Sequence, residues 1–190
     1  MPTHSTITMS VFELLKAGPG PSSSHTIGPM RAGADFAALA GGLPAEVKAR
    51  VKGLRVRLWG SLSATGRGHG TDRAAFAGLM GYEPIDCPPG LLGRLNDLSP
   101  EEKRLKGFQL PIGSVNIHYG PIHHQRPYSN TLFIDLLDRP YSGFDSVFQI
   151  PPFDEAADGP DPLAGHVIFS REYYSVGGGF IGWVGWQPAE

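Results

Sequence analysis

Leu54-Arg55-Val56-Arg57-Leu58-Trp59-Gly60-Ser61-Leu62-Ser63-Ala64-Thr65-Gly66-Arg67-Gly68-His69-Gly70-Thr71-Asp72 is the stretch from which the fold class is read. Leu54, Val56 and Leu58 alternate with Arg55 and Arg57, the period-two pattern of a strand that turns one face to the core and one to water. Gly60 to Asp72 is rich in glycine and reads as a loop, and Ala74 to Met80 reads as a helix stopped by Gly81. Phosphate-binding loops share this order of strand, glycine loop and helix. Neither Gly-x-x-x-x-Gly-Lys-Ser/Thr nor Gly-x-Gly-x-x-Gly occurs between Gly60 and Asp72, so nucleotide binding is not predicted there.

Upstream stands Gly18-Pro19-Gly20-Pro21-Ser22-Ser23-Ser24-His25-Thr26-Ile27-Gly28-Pro29-Met30-Arg31, a rigid turn that delivers hydroxyls and one imidazole to a helix start. Pro29 suits the first helical position, and the alanine-rich run Ala32 to Ala40 ends at Gly41-Gly42, so a helix is predicted there. Still earlier, Ser10-Val11-Phe12-Glu13 reads as a capping box opening a short helix. Downstream, Pro44 to Ala49 is a brief helical piece and residues 81–98 are a Pro/Gly-rich surface connection. Ser99-Pro100-Glu101-Glu102 is a second capping box, predicting a short helix to about Lys106. Val115, Ile117 and Tyr119 alternate with Asn116 and His118 as a strand. Leu132 to Leu137 give another, Gly165 to Ser170 continue the pattern toward Tyr174, and Pro151 to Pro162 read as a polar loop. The sum is an α+β fold, a mixed β-sheet flanked by helices, taken as a single domain over residues 1–190.

Composition narrows the function classes. A formal net charge of -2 gives no basic field for nucleic acid. No stretch of 18 apolar residues occurs, so no membrane span is predicted, and a soluble cytoplasmic protein is the simplest expectation. Gly 26 and Pro 18 predict a loop-rich domain, while 41% apolar residues argue against disorder. Cys87 is the single cysteine, which leaves neither an intrachain disulfide nor a cysteine pair for a metal. The apolar end Phe180 to Trp186 would be a liability if exposed, so a partner surface is expected to cover it.

The candidate chemistry lies in the loops. Ser22, Ser23, Ser24 and Thr26 beside His25 exceed what helix capping requires, although serine and threonine caps are common and a structural reading stands beside the functional one. A helix start also attracts carboxylates and phosphates. Gly68 and Gly70 flank His69, so the backbone can take positive φ and let a ligand approach the imidazole; a turn histidine in water is the alternative. Either imidazole can exchange protons near neutral pH. If the two meet, the hydroxyls would hold a substrate carboxylate while one imidazole handles the proton on the adjacent carbon. His118, His123 and His124 have no carboxylate or thiolate in a recognised spacing, so no metal site is assigned. Gly177-Gly178-Gly179 after Tyr173-Tyr174-Ser175-Val176 read equally as a tight bend and as a place for ligand approach.

Taken in order, the serine turn, the Trp59 to Asp72 segment and Tyr173 to Phe180 resemble the motifs of the iron-sulfur L-serine dehydratases, specifically their β-chain domain. The resemblance covers nearly the whole chain. It implies a fold like the allosteric substrate-binding domain of a class of phosphoglycerate dehydrogenases. It also implies conversion of L-serine to pyruvate and ammonia, with a 4Fe-4S cluster held by cysteines of an α domain that nothing here matches. By motif His69 is the active-site histidine, and Ser22, Ser23, Ser24, His25 and Thr26 with Gly70, Thr71, Asp72 and Asn130 form the substrate-binding set. Where the family usually carries His-Pro-Asn, this chain has Tyr128-Ser129-Asn130. The implied partners are the cluster-bearing α domain, L-serine and a second copy of the chain, with no nucleic acid and no membrane. A non-catalytic regulatory or binding module for a small hydroxy acid or amino acid is the alternative.

Overall fold

Strand β1, Gly53–Gly60, is the centre of the architecture. The computed structural model describes residues 18–141, 161 and 163–185. The helix expected at Ser10, most of the Pro151 to Pro162 loop and Trp186 lie outside the described residues. β1 runs parallel to β2 (Ile117–Tyr119) and antiparallel to β3 (Asn130–Leu137), in register from Gly53↔Leu137 to Gly60↔Asn130. β4 (Val167–Ser175) and β5 (Ile181–Trp183) add antiparallel strands beyond β3, giving the order β2-β1-β3-β4-β5. The sheet is mixed, as the sequence predicts.

One face carries Leu54, Val56, Leu58, Leu132, Ile134, Leu136 and Tyr173, all fully buried. Against it pack α1 (Gly28–Gly41) and, after the short α2 (Ala45–Ala49) and α3 (Ser61–His69), helix α4 (Thr71–Leu79). Each buried leucine contributes on the order of 1.5–3 kcal/mol of transfer free energy. α1 and α4 approach closely because Gly33 and Gly78 have no side chain. A Cβ on Gly33 would lie 2.4 Å from the Ala75 carbonyl oxygen, and one on Gly78 would lie 2.0 Å from that of Met30. The Tyr173 hydroxyl crosses from the sheet to donate to Asp35 of α1 at 2.5 Å, and burial plus that carboxylate push the phenol far above its ordinary range.

The opposite face departs from expectation. The arginines of β1 do not point into water: Arg55 is 5% exposed and Arg57 is half-buried. β3 places Asp135 opposite Arg55 in the ladder, where its fully buried carboxylate accepts from Arg55 Nε at 2.9 Å, Arg57 Nε at 3.1 Å and the Ser170 hydroxyl at 2.6 Å. Asp161 takes the rest of the Arg55 fork, at 2.9 and 2.5 Å. Alternation marks a strand with two unlike faces, but the acids that neutralise this one sit far away in sequence.

The segment read as a glycine loop is helix α3 and the start of α4, whose remainder is the helix expected from Ala74. Gly60, at φ 61°, turns the chain out of β1 into α3, and Gly70, at φ 66°, breaks α3 from α4. Each glycine inside a helix costs roughly 0.5–1 kcal/mol, and packing overrides that cost here, with Leu62 fully buried and Gly66 seated against Thr71. A further correction concerns Ser99. Its capping-box bonds form, Ser99 N–H to Glu102 Oε2 at 2.8 Å and Glu102 N–H to Ser99 Oγ at 3.4 Å, yet no helix follows. The bonds from Leu105 N–H to the Leu110 carbonyl and from Ile112 N–H to the Lys103 carbonyl bend the chain into a bridge between Arg104 and Pro111, which buries Leu105 and Ile112. The 81–98 connection also enters the core, through Leu91 of α5 (Leu91–Arg94) and Leu95. The strand expected from Val115 starts only at Ile117, because Ser114–Asn116 form a 3-10 turn and Val115 is exposed.

Candidate active site

Ser22, in extended conformation, opens a wide π-type turn over Ser23–Ile27 that merges into α1 at Gly28. Its hydroxyl oxygen accepts from His25 N–H at 3.2 Å, and its carbonyl accepts from Thr26 N–H at 3.0 Å. Turns of this type are frequent at functional sites. Here the turn sets the His25 ring between two hydroxyls: Nδ1 lies 3.0 Å from Ser24 Oγ and Nε2 lies 3.0 Å from Ser61 Oγ.

The His69 ring stands 5.0 Å from that of His25, centroid to centroid, with 40° between the planes. His69 is the last residue of α3 rather than a loop residue. Its Nδ1–H donates to the Thr65 carbonyl at 3.0 Å. A carbonyl only accepts, so the neutral ring keeps its lone pair on Nε2. The two backbones are cross-tied: Thr26 Oγ1 donates to the His69 carbonyl at 3.3 Å, and Thr71 Oγ1 donates to the His25 carbonyl at 2.7 Å. Burial, and then the charge His69 would carry, lower the His25 pKa below its ordinary value, while the Ser61 contact acts the other way. His25 is therefore neutral at neutral pH.

The last motif reaches the first. Ser175, 2% exposed, donates its hydroxyl to the Ser24 carbonyl at 2.7 Å, and Asn130 Nδ2–H donates to the Ser175 carbonyl at 3.3 Å. A Cβ on Gly28 would fall 2.1 Å from Ser175 Oγ, so glycine is required there for contact. Arg31 of α1 donates to the Gly179 carbonyl at 2.9 Å, which fixes the glycine bend on the turn.

The residues predicted from sequence thus fall into groups. Ser22, Ser23, Ser24 and His25 are half-buried in the turn, next to His69. Thr26 and Thr71 are fully buried, with their hydroxyls turned to main-chain carbonyls, and Gly70 is the buried link between α3 and α4. Asn130 joins through Ser175, its Oδ1 buried without a hydrogen-bond partner. Asp72, in the first turn of α4, acts on Tyr119, whose phenol is raised first by burial and then by the Asp72 charge. Ser61, Thr65 and Ser175 were not among the predicted site residues. For Ser61 and Thr65 the signal is the four-residue spacing Ser61, Thr65, His69, which places these on one helix face, but only once the segment is read as helical. His118 lies on the Arg55 and Arg57 face, and its pKa is lowered by burial first and then by both arginines.

A 4Fe-4S cluster takes cysteine thiolates. Cys87 is the only cysteine of the chain. It is half-buried, it donates weakly to the Pro88 carbonyl, and burial raises its pKa. Among the described residues, no group of three or more His, Cys, Asp or Glu is placed to hold a metal ion. The donor set of this chain does not fit such a cluster.

With the two histidines, their hydroxyls and the contact between first and last motifs in place, comparison with known proteins assigns the family. The serine dehydratase beta chain family matches residues 10–141. L-serine dehydratase 1 of Escherichia coli (strain K12) is 34% identical over 179 residues, covering 91% of this chain and 33% of the relative. L-serine dehydratase of Mycobacterium bovis is 35% identical over 185 residues, and that of Helicobacter pylori (strain J99) is 32% identical over 174, each covering 92% of this chain and about a third of the relative. The chain belongs to the serine dehydratase beta-chain family. It spans about a third of the length of the curated relatives it matches.

Proposed function

We propose that this chain supplies the histidine and hydroxyl side of the active site of an L-serine dehydratase, which converts L-serine to pyruvate and ammonia. The observation that carries this reading is the pairing of His25 with His69, 5.0 Å apart, beside Ser24 and Ser61. Two adjacent imidazoles, one held between hydroxyls and the other by a main-chain carbonyl, suit proton removal from a carbon next to a carboxylate; a capped helix needs neither. In this reading His69 takes the proton of the substrate Cα on Nε2, the atom left with its lone pair. Ser22, Ser23 and Ser24 orient the carboxylate; Ser22, whose oxygen accepts from His25 N–H, keeps its proton to donate. His25 stays neutral and adds hydrogen bonding without competing for the proton. Thr26, Gly70 and Thr71 serve by holding the two histidines in place, while Asp72 and Asn130 border the substrate volume.

Hydroxide is a poor leaving group, and serine, threonine and histidine side chains offer no strong electrophile to assist it. The 4Fe-4S cluster expected of this family would provide that electrophile. It belongs on a cysteine-bearing α domain, since one thiol cannot hold it. Self-association is a further part of the proposal, supported by the edge strand β5 and the exposed Val184 beside it. Among the described residues no helix is long and apolar enough to cross a membrane, and a cytoplasmic location remains a proposal. So does the kinship with the allosteric domain of phosphoglycerate dehydrogenases, which the mixed sheet with helices supports only at the level of class.

The test is anaerobic reconstitution with iron and sulfide, followed by a pyruvate assay on L-serine with and without a separately made cysteine-bearing α domain. Activity appearing only on mixing is expected. Pyruvate at an enzymatic rate from this chain alone would overturn the division of labour.

A further inference from the structure

Ser61 is the first residue of α3, yet its hydroxyl caps nothing: the helix has no side-chain cap, and the residue ahead of it is Gly60. The capping position belongs to Gly60, so the Ser61 hydroxyl is left for another partner. Here Ser61 Oγ points across to another element and meets His25 Nε2 at 3.0 Å.

The backbone under Ser61 is held unusually well. Gly60 N–H donates to the Pro121 carbonyl at 2.8 Å, and Ser61 N–H donates to the Ser129 carbonyl at 3.0 Å. Gly60 itself is at φ 61°, and a Cβ there would lie 1.9 Å from the Ser129 oxygen. Neither the conformation nor the space admits another residue. From Ser61 onward, α3 acts as a ruler: the Thr65 hydroxyl donates to the Ser61 carbonyl at 2.9 Å, and His69 Nδ1–H donates to the Thr65 carbonyl at 3.0 Å. One helix face therefore presents Ser61 to the Nε2 edge of His25 and, two turns later, His69 to the same ring.

We propose that Ser61 is a positioning residue for the elimination: its hydroxyl pins Nε2 of His25, so that the imidazole is clamped between Ser24 and Ser61 and cannot swing away from His69. The inference rests on the proposed activity and adds a residue to it. With the pin in place both nitrogens of the neutral ring are engaged. Without it the ring keeps a hydrogen bond to Ser24 alone and turns about its side-chain bonds. A small misplacement of a group beside the reacting atoms is enough to lower turnover by as much as about a hundredfold.

The test uses Ser61→Ala and Ser61→Thr in the chain together with its cluster-bearing partner, and 15N spectra of the imidazoles of the chain, with His25 assigned through His25→Gln. For Ser61→Ala, kcat falls by about ten- to a hundredfold with KM changed by less than about threefold, as expected for loss of positioning rather than of uniform binding. Ser61→Thr keeps the hydroxyl and recovers most of the rate. The His25 Nε2 resonance moves in Ser61→Ala and stays near its native position in Ser61→Thr. Native kcat in Ser61→Ala, or equal losses in the two variants, overturns the proposal. If the native complex forms no pyruvate from L-serine, it is the assigned activity that fails. The pin then stands or falls with the Nε2 resonance: displacement in Ser61→Ala supports it, and no displacement overturns it.

Discussion

The hydroxyl of Thr71 donates to the main-chain carbonyl of His25 at 2.7 Å, so the residue that opens α4 holds the residue at the tip of the serine turn. Thr71 is fully buried, and replacing it with valine keeps its shape while removing the donor. The His25 carbonyl would then be buried without that partner, at a cost of about 1–3 kcal/mol. Thr71→Val is expected to lower the urea midpoint accordingly, and Thr71→Ser to lose less because the hydroxyl remains. A larger loss in Thr71→Ser than in Thr71→Val would assign the effect to methyl packing instead.

Acid stability follows from the far face of the sheet. Burial raises the pKa of Asp161, but the hydrogen bonds from Arg55 and Leu163 N–H outweigh it and bring the carboxyl from 3.8 down to about 2. A folded pKa below the unfolded one means stability that is present above about pH 4 and lost as pH falls toward 2. The shift corresponds to about 2 kcal/mol. Urea unfolding of the native chain and of Asp161→Asn should differ by about this amount at pH 7 and converge near pH 2. A difference that persists at pH 2 would count against the linkage.

Much of this molecule is legible in its sequence, and the parts that are not have physical reasons. The strand through Leu54, Val56 and Leu58, the alanine-rich helix and the strand from Leu132 follow from periodicity, which is local. The helix Ser61–His69 does not, because glycine propensity argues against it and only the burial of Leu62 and Gly66 decides otherwise. Asp135 and Asp161 could not be matched to Arg55 because they lie 80 and 106 positions away, the first across the ladder and the second outside any strand. At the site the histidines were visible as types. Their meeting was not, since it depends on Thr26 and Thr71 crossing between two helix starts.

His69→Ala is expected to lower turnover in the presence of the cluster-bearing domain by about two to four orders of magnitude, the usual range for loss of a general acid or base. L-Serine affinity should change little, because the carboxylate is assigned to the serine turn. A loss under threefold with unchanged affinity would return His69 to a structural role. The Thr65 carbonyl gives a second check: His69→Asn keeps a side chain able to donate to it but has no base, so folding should survive where turnover does not.

The remaining prediction concerns proton binding at His25. Burial lowers its pKa first, and the neighbouring His69 lowers it further. The folded ring therefore binds its proton less readily than the unfolded chain does, and stability falls as pH drops through the ordinary histidine value near 6.5 toward the lower folded value. A charge on His69 opposes a proton on His25 across the 5.0 Å between the rings. Imidazole proton resonances followed from pH 8 to pH 5 should show His25 titrating below the ordinary range. In His69→Ala, which removes the second lowering cause, its midpoint should move up. A His25 midpoint above 6.5 in the native chain would falsify this lowering, and an unchanged midpoint in His69→Ala would show that the rings do not interact.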